Sequence, residues 1–171
     1  MNYEAIAAAH IEAESRYPIN ILSSWLVGSQ HAGFANEESD IDILAIYTQN
    51  PLELVCQNPT PKDRITTLKI DKVEIKLVSL QEFCRYIKNN AALSFEALFY
   101  ATEYFVDYDN LIDDLKKLFF DVTDKAALIK ALLGIVHRNR SEYQSSTYRG
   151  LTNYNKTLMI SAKYGLLALL S

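Results

Sequence analysis

Residues 25–47 read WLVGSQHAGFANEESDIDILAIY. An apolar run leads into Gly28-Ser29, a polar segment follows, and Ser39-Asp40-Ile41-Asp42 opens a second apolar run. A strand sends residues i and i+2 to one face, so Asp40 and Asp42 are expected to project side by side, with Cα atoms roughly 6.5 Å apart at about 3.3 Å rise per residue. The two carboxylates can then grip the same hard cation. Like charges at the mouth of a buried strand cost stability unless a metal or a cationic partner neutralises them. The acid pair therefore marks a candidate site.

Upstream, residues 20–27 (NILSSWLV) are β-compatible and read as a strand that stops at Gly28. Residues 3–15 place Ile6, Ala9, His10 and Ala13 near one face of an amphipathic helix, which Pro18 ends. Downstream, residues 41–47 are apolar on both faces, the pattern of a central strand covered on both sides. A short helix or turn is expected over 29–36. Residues 48–63 hold three of the four prolines and read as a connection with a short helix over 52–56.

Residues 64–70 and 73–79 are two strands joined by Asp71-Lys72, a hairpin signal. In the second strand Glu74, Lys76 and Val78 face one way and Val73, Ile75 and Leu77 the other. Ser79 with Glu82 three residues on has capping-box spacing and opens a helix over 80–90. A second short helix over 93–101 and an extended piece over 104–108 follow. NLIDDLKKLFF, DKAALIKALLGIVHRNRSEY and TNYNKTLMISAKYGLLALL then read as three helices with apolar residues at i, i+3, i+4 and i+7. A seam over 105–110 divides a core at 1–105 from a helical C-terminal region at 106–171 packing on it.

Of the 171 residues 49% are apolar, so the chain is globular, and its net charge of −4 shows that it is not broadly basic, so any nucleic-acid contact needs a local patch. Cys56 and Cys84 stand apart without metal-type spacing and read as free thiols of a reducing compartment. The N-terminal stretch carries acids within its apolar run, unlike a signal peptide. No run is long enough to span a membrane, so a cytoplasmic protein is expected. The terminal LLALLS is expected to be buried at the end of a compact domain, or to pack on a further segment or on a second copy as a homo-oligomer contact.

GSQHAGFANEESDID resembles the signature of the DNA polymerase β-like nucleotidyltransferase superfamily. It is closest to the form GS-x-x-x-G-x-x-x-x-x-SD-x-D of stand-alone bacterial and phage nucleotidyltransferases, with Gly28, Ser29, Gly33, Ser39, Asp40 and Asp42 at matching positions. The resemblance covers about residues 20–100, strongest in the motif. It implies an α+β fold: a palm-like mixed sheet flanked by helices, followed by a helical region. It also implies a third carboxylate on a later strand, a position filled by Glu74.

The activity so implied is transfer of a nucleoside monophosphate from an NTP such as ATP to an acceptor hydroxyl, on RNA, protein or a small molecule, with release of pyrophosphate. Phosphoryl transfer needs charge neutralisation and in-line positioning more than covalent help. Two Mg2+ ions, or Mn2+ in their place, held by Asp40, Asp42 and Glu74, would supply both, and three acids with no His or Cys suit a hard ion. Gly28 would let the backbone approach a phosphate, with Ser29 and the following amides binding it; Gln30, Gly33 and Ser39 line the same loop. Many relatives carry Arg where this chain has Gln30, so Lys76 or Lys156 is expected to supply the missing cation.

Plainer readings compete with these. Asp40 has the composition of a cap or turn residue, and Glu74 that of an ion-pair partner for Lys76 or Lys72. His10, His31 and His137 read as packing, loop or surface residues. Arg138, Arg140, Arg149, Lys156 and Lys163 alternate with Tyr143, Tyr148, Tyr154 and Tyr164, which suits a substrate-binding face and a solvated helix face equally. Gln30, and Glu74 where Asp is commoner, motivate a second class of function: a nucleotide-binding or sensing module without turnover. An antitoxin-like protein that acts on a helical partner is a third.

Overall fold

The strand that follows the acid pair lies at the centre of a five-stranded sheet, because both of its faces are apolar. The computed structural model describes residues 3–28, 39–49, 66–99 and 104–145, with side chains described as far as residue 137. In chain order the elements are α1 (Tyr3–Arg16), β1 (Ile19–Val27), β2 (Ile41–Gln49), β3 (Thr66–Ile70), β4 (Val73–Ser79), α2 (Leu80–Lys88), α3 (Ala92–Phe99), β5 (Tyr104–Asp107), a 3-10 turn (Tyr108–Asn110), α4 (Leu111–Val122) and α5 (Lys125–Ser145).

The sheet order is β3-β4-β2-β1-β5. β2 runs antiparallel to β1 but parallel to β4, and the β3–β4 and β1–β5 pairs are antiparallel. The sheet is therefore mixed, as expected, with one parallel seam at its centre. Along that seam Ile41 stands opposite Val73 and Asp42 opposite Glu74.

Side-chain alternation splits the core into two layers. Ile43, Ala45, Tyr47, Val73, Ile75 and Leu77 point to the face covered by α1, whose Ile6, Ala9 and Ala13 are buried against them. Trp25, Leu44, Ile46 and Val78 point to the other face, where Phe83, Ile87, Leu98, Ile112, Leu115, Phe119, Leu128 and Leu132 cover them. Residues on both sides of position 105 contribute to this second layer. Trp25 meets Phe83 and Tyr104 edge-on, with ring centroids 5.9 and 6.2 Å apart.

Local chemistry fixes the element ends. Ser79 is the N-cap of α2 and its hydroxyl accepts from the Glu82 amide at 3.2 Å, the capping expected of that spacing. Asp71 turns the β3–β4 hairpin with a φ of +52, a conformation that Asp tolerates. Asp124 accepts from the amides of Ala126 and Ala127 at 2.8 and 3.2 Å and so caps α5. The extended piece expected over 104–108 is β5, tied to β1 by Ser23 Oγ donating to the Val106 carbonyl at 3.0 Å. The helices expected over 29–36, 52–56 and the last stretch of the chain fall outside the described residues.

A carboxylate and lysine cluster as candidate active site

β1 ends where β2 and β4 begin, and the helix-side face turns polar there. Leu44, Ile46 and Val78 face the helices, so alternation puts Asp42, Glu74 and Lys76 on the same side one or two steps nearer the strand starts. Parallel pairing then sets Asp42 beside Glu74. At the end of β1, Val27 pairs with Asp42, and Gly28 follows with a φ of +72.

The acids are held by lysines. Lys76 Nζ lies 3.1 Å from Asp42 Oδ1 and 3.1 Å from Glu74 Oε1, bridging the two strands. Lys69 Nζ, from the outer strand β3, lies 2.6 Å from Asp40 Oδ2. The bridge is the more enclosed arrangement: the Lys76, Asp42 and Glu74 side chains are 34%, 22% and 28% exposed, against 56% and 39% for Lys69 and Asp40. Burial pulls the Lys76 pKa down, but hydrogen bonds to Glu74 and Asp42 and their charges outweigh it and hold the ammonium above the ordinary lysine range. The hydrogen bond and charge of Asp40 raise Lys69 likewise.

Of the residues singled out in the sequence, Gly28, Ser39, Asp40, Asp42, Glu74 and Lys76 are described. The structure joins Asp42, Glu74 and Lys76 directly, and Asp40 to Lys69. Ser29, Gln30, His31, Gly33 and Lys156 lie outside the described residues. Lys69 escaped sequence reasoning, although a signal existed. A two-residue turn at 71–72 places residue 69 opposite residue 74, and Lys69 pairs with Glu74 in the observed register.

The sequence leads to the expectation of a divalent cation, and the donor chemistry fits one: among the described residues the cluster offers carboxylate oxygens and no sulfur or imidazole. Two ammonium groups against three carboxylates show a site that attracts positive charge and retains an excess of one acid. Among the described residues no three acid, histidine or cysteine side chains are gathered to a common point for one ion. In this arrangement Lys76 is the cation that Asp42 and Glu74 share.

The sequence profile of the RlaP family, described as an RNA repair pathway DNA polymerase beta family, matches residues 3–160. This chain belongs to that family. The family is of the polymerase β-like nucleotidyltransferase type, in agreement with the Gly28-to-Asp42 motif. A search of the curated proteins gives no match. Among solved structures, a nucleotidyltransferase-like protein from Exiguobacterium sibiricum 255-15 aligns at 15% identity with a TM-score of 0.46, over 98% of this chain and 53% of that one. The chain spans about half the length of that protein. Among the described residues of this RlaP-family chain, no helix is long and apolar enough to cross a membrane.

Proposed function

We propose that this chain transfers a nucleoside monophosphate from an NTP to a hydroxyl at an RNA end. An acceptor oxygen bonds to the α-phosphorus, the α–β phosphoanhydride bond breaks, and pyrophosphate leaves with the electron pair. The proton of the hydroxyl passes to a carboxylate or to water. The observation that carries this reading is the pairing of Asp42 with Glu74 across the parallel seam, with Asp40 two residues before Asp42. The description of the family as an RNA repair pathway supports RNA as the acceptor over protein or a small molecule.

Asp40, Asp42 and Glu74 would hold Mg2+ or Mn2+, which when bound neutralises phosphate charge and lowers the barrier to in-line displacement. The chain's own residues do the rest. Gly28 keeps the backbone low beside Asp42, and Ser29, Gln30, Gly33 and Ser39 are proposed to receive the triphosphate. Glu74 stands nearest the acceptor hydroxyl. Lys76 has an ammonium within reach of the same carboxylates and faces the phosphates, and Lys156 is proposed as a second phosphate contact.

A reading without turnover is favoured by one observation: Lys76 already lies between Asp42 and Glu74 and cancels one of their two charges without a metal ion. Incubation with each labelled NTP, Mg2+ or Mn2+ and RNAs with defined ends decides between the two. Labelled RNA together with released pyrophosphate, both lost in Asp40→Asn with Asp42→Asn, supports transfer. Nucleotide binding with no pyrophosphate from any RNA end supports the module.

A further inference from the structure

Three acids close together at the start of two central strands repel one another, and the protein meets that cost with two lysines drawn from one hairpin. Lys76 lies 3.1 Å from both Asp42 and Glu74, and Lys69 lies 2.6 Å from Asp40. The same oxygens are the ones that the proposed function assigns to a divalent cation. An ammonium and a metal ion cannot share Asp42 and Glu74 without strong like-charge repulsion at such separations. Either the lysine moves or the metal stays away.

We propose that Lys69 and Lys76 are built-in counter-cations that compete with the divalent metal for the three acids, so that metal enters by displacing them. This rests on the reading of Asp40, Asp42 and Glu74 as metal ligands. Lys76 is the stronger competitor, since it engages two acids and is the less exposed of the pair. Lysine is well suited to being displaced, since its flexible stem carries a point charge that can leave one oxygen for another, whereas a forked guanidinium is held more rigidly. The displaced ammonium groups remain within a side chain's length of the site, ready to meet the triphosphate that accompanies the metal. The lysines thereby make the metal-free site stable and couple metal entry to the arrival of new anions.

The test is direct Mn2+ binding to the full-length protein, by titration calorimetry and by loss of the free Mn2+ electron spin resonance signal, without nucleotide. Lys76→Met is expected to tighten Mn2+ binding roughly tenfold and Lys69→Met roughly threefold, in keeping with the loss of partly exposed ion pairs. Lys76→Arg is expected to keep binding weak. Lys117→Met removes the same charge from an exposed pair with Asp114 on α4 and controls for the overall field, so it is expected to change binding less than about twofold. Thermal melting of Lys76→Met gives a second readout: a lower midpoint without metal, and a larger upward shift with Mn2+ than the parent shows.

Unchanged or weaker Mn2+ binding in both lysine variants, with binding still abolished by Asp42→Asn, overturns the competition and leaves the metal site standing. No Mn2+ binding in the parent or in either lysine variant overturns both. Should Lys76→Met fail to fold, Lys69→Met, at the more exposed pair, carries the decision.

Discussion

Gly28 lies against Asp42 so closely that a Cβ built on the glycine would come 2.8 Å from the Asp42 Cγ and 2.9 Å from its Cβ. The glycine also holds a φ of +72, where L residues are strained. Gly28→Ala must therefore push aside a carboxylate that the site needs. We expect about 2 kcal/mol of lost stability in urea unfolding and at least a tenfold loss of transfer. Gly134→Ala, on α5 with open space around it, is the contrast: it should gain about 0.5–1 kcal/mol through helix propensity and leave transfer unchanged.

Asp42→Asn and Glu74→Gln each keep the shape and remove one of the two charges that Lys76 bridges. Both should lower single-turnover nucleotide incorporation by about 100-fold or more, the scale on which one group that stabilises transition-state charge acts. The far-ultraviolet circular dichroism should be unchanged. Incorporation within threefold of the parent in both variants would remove these residues from the reaction.

Neighbouring phenylalanines on α4 should behave oppositely. Phe119 is 3% exposed and its ring meets Phe95 and Phe99 at 5.8 and 5.2 Å between centroids, while Phe120 is 72% exposed. Phe119→Ala should cost about 3–5 kcal/mol in denaturant unfolding, and Phe120→Ala less than about 1 kcal/mol. Equal losses would place α4 in a different rotation about its axis.

His10, on α1, is held below the ordinary histidine pKa by burial, partly offset by the charge of Glu14. The folded state thus resists protonation that the unfolded chain accepts. Stability is full above about pH 6.5, the unfolded value, and falls as pH drops below it until the folded pKa is passed. His10→Gln should flatten this part of a melting-temperature profile between pH 7.5 and 5. A profile as steep as the parent's would assign the acid sensitivity to other groups.

The fold was legible wherever one residue pattern served one purpose. The apolar run after Asp42 announced a central strand, Asp71-Lys72 a turn, and Ser79 a helix start, and each is found. The acids of the site were legible because paired charges beside apolar runs are anomalous. What sequence did not show was how those charges are balanced. Lys69 sits in TTLKI, an ordinary exposed strand pattern, and its link to Asp40 crosses 29 residues of sequence. The Lys76–Glu74 pair is legible in the sequence as an i, i+2 contact on one strand face, but the second partner of Lys76, Asp42, reaches it only through the parallel seam.

The β3–β4 hairpin brings one acid and both lysines to the site, whereas Asp42 belongs to the strand it docks against and Asp40 lies just before that strand. The hairpin joins near neighbours in the chain, whereas its parallel seam with β2 must close a longer loop at a larger entropic cost. The opposite charges then guide the register. A slip by one residue turns Glu74 and Lys76 toward the face of α1 and breaks the bridge to Asp42 as well as the apolar packing. The ion pairs thus proofread the alignment of the two halves, and a chain that has paired its strands wrongly cannot assemble the site.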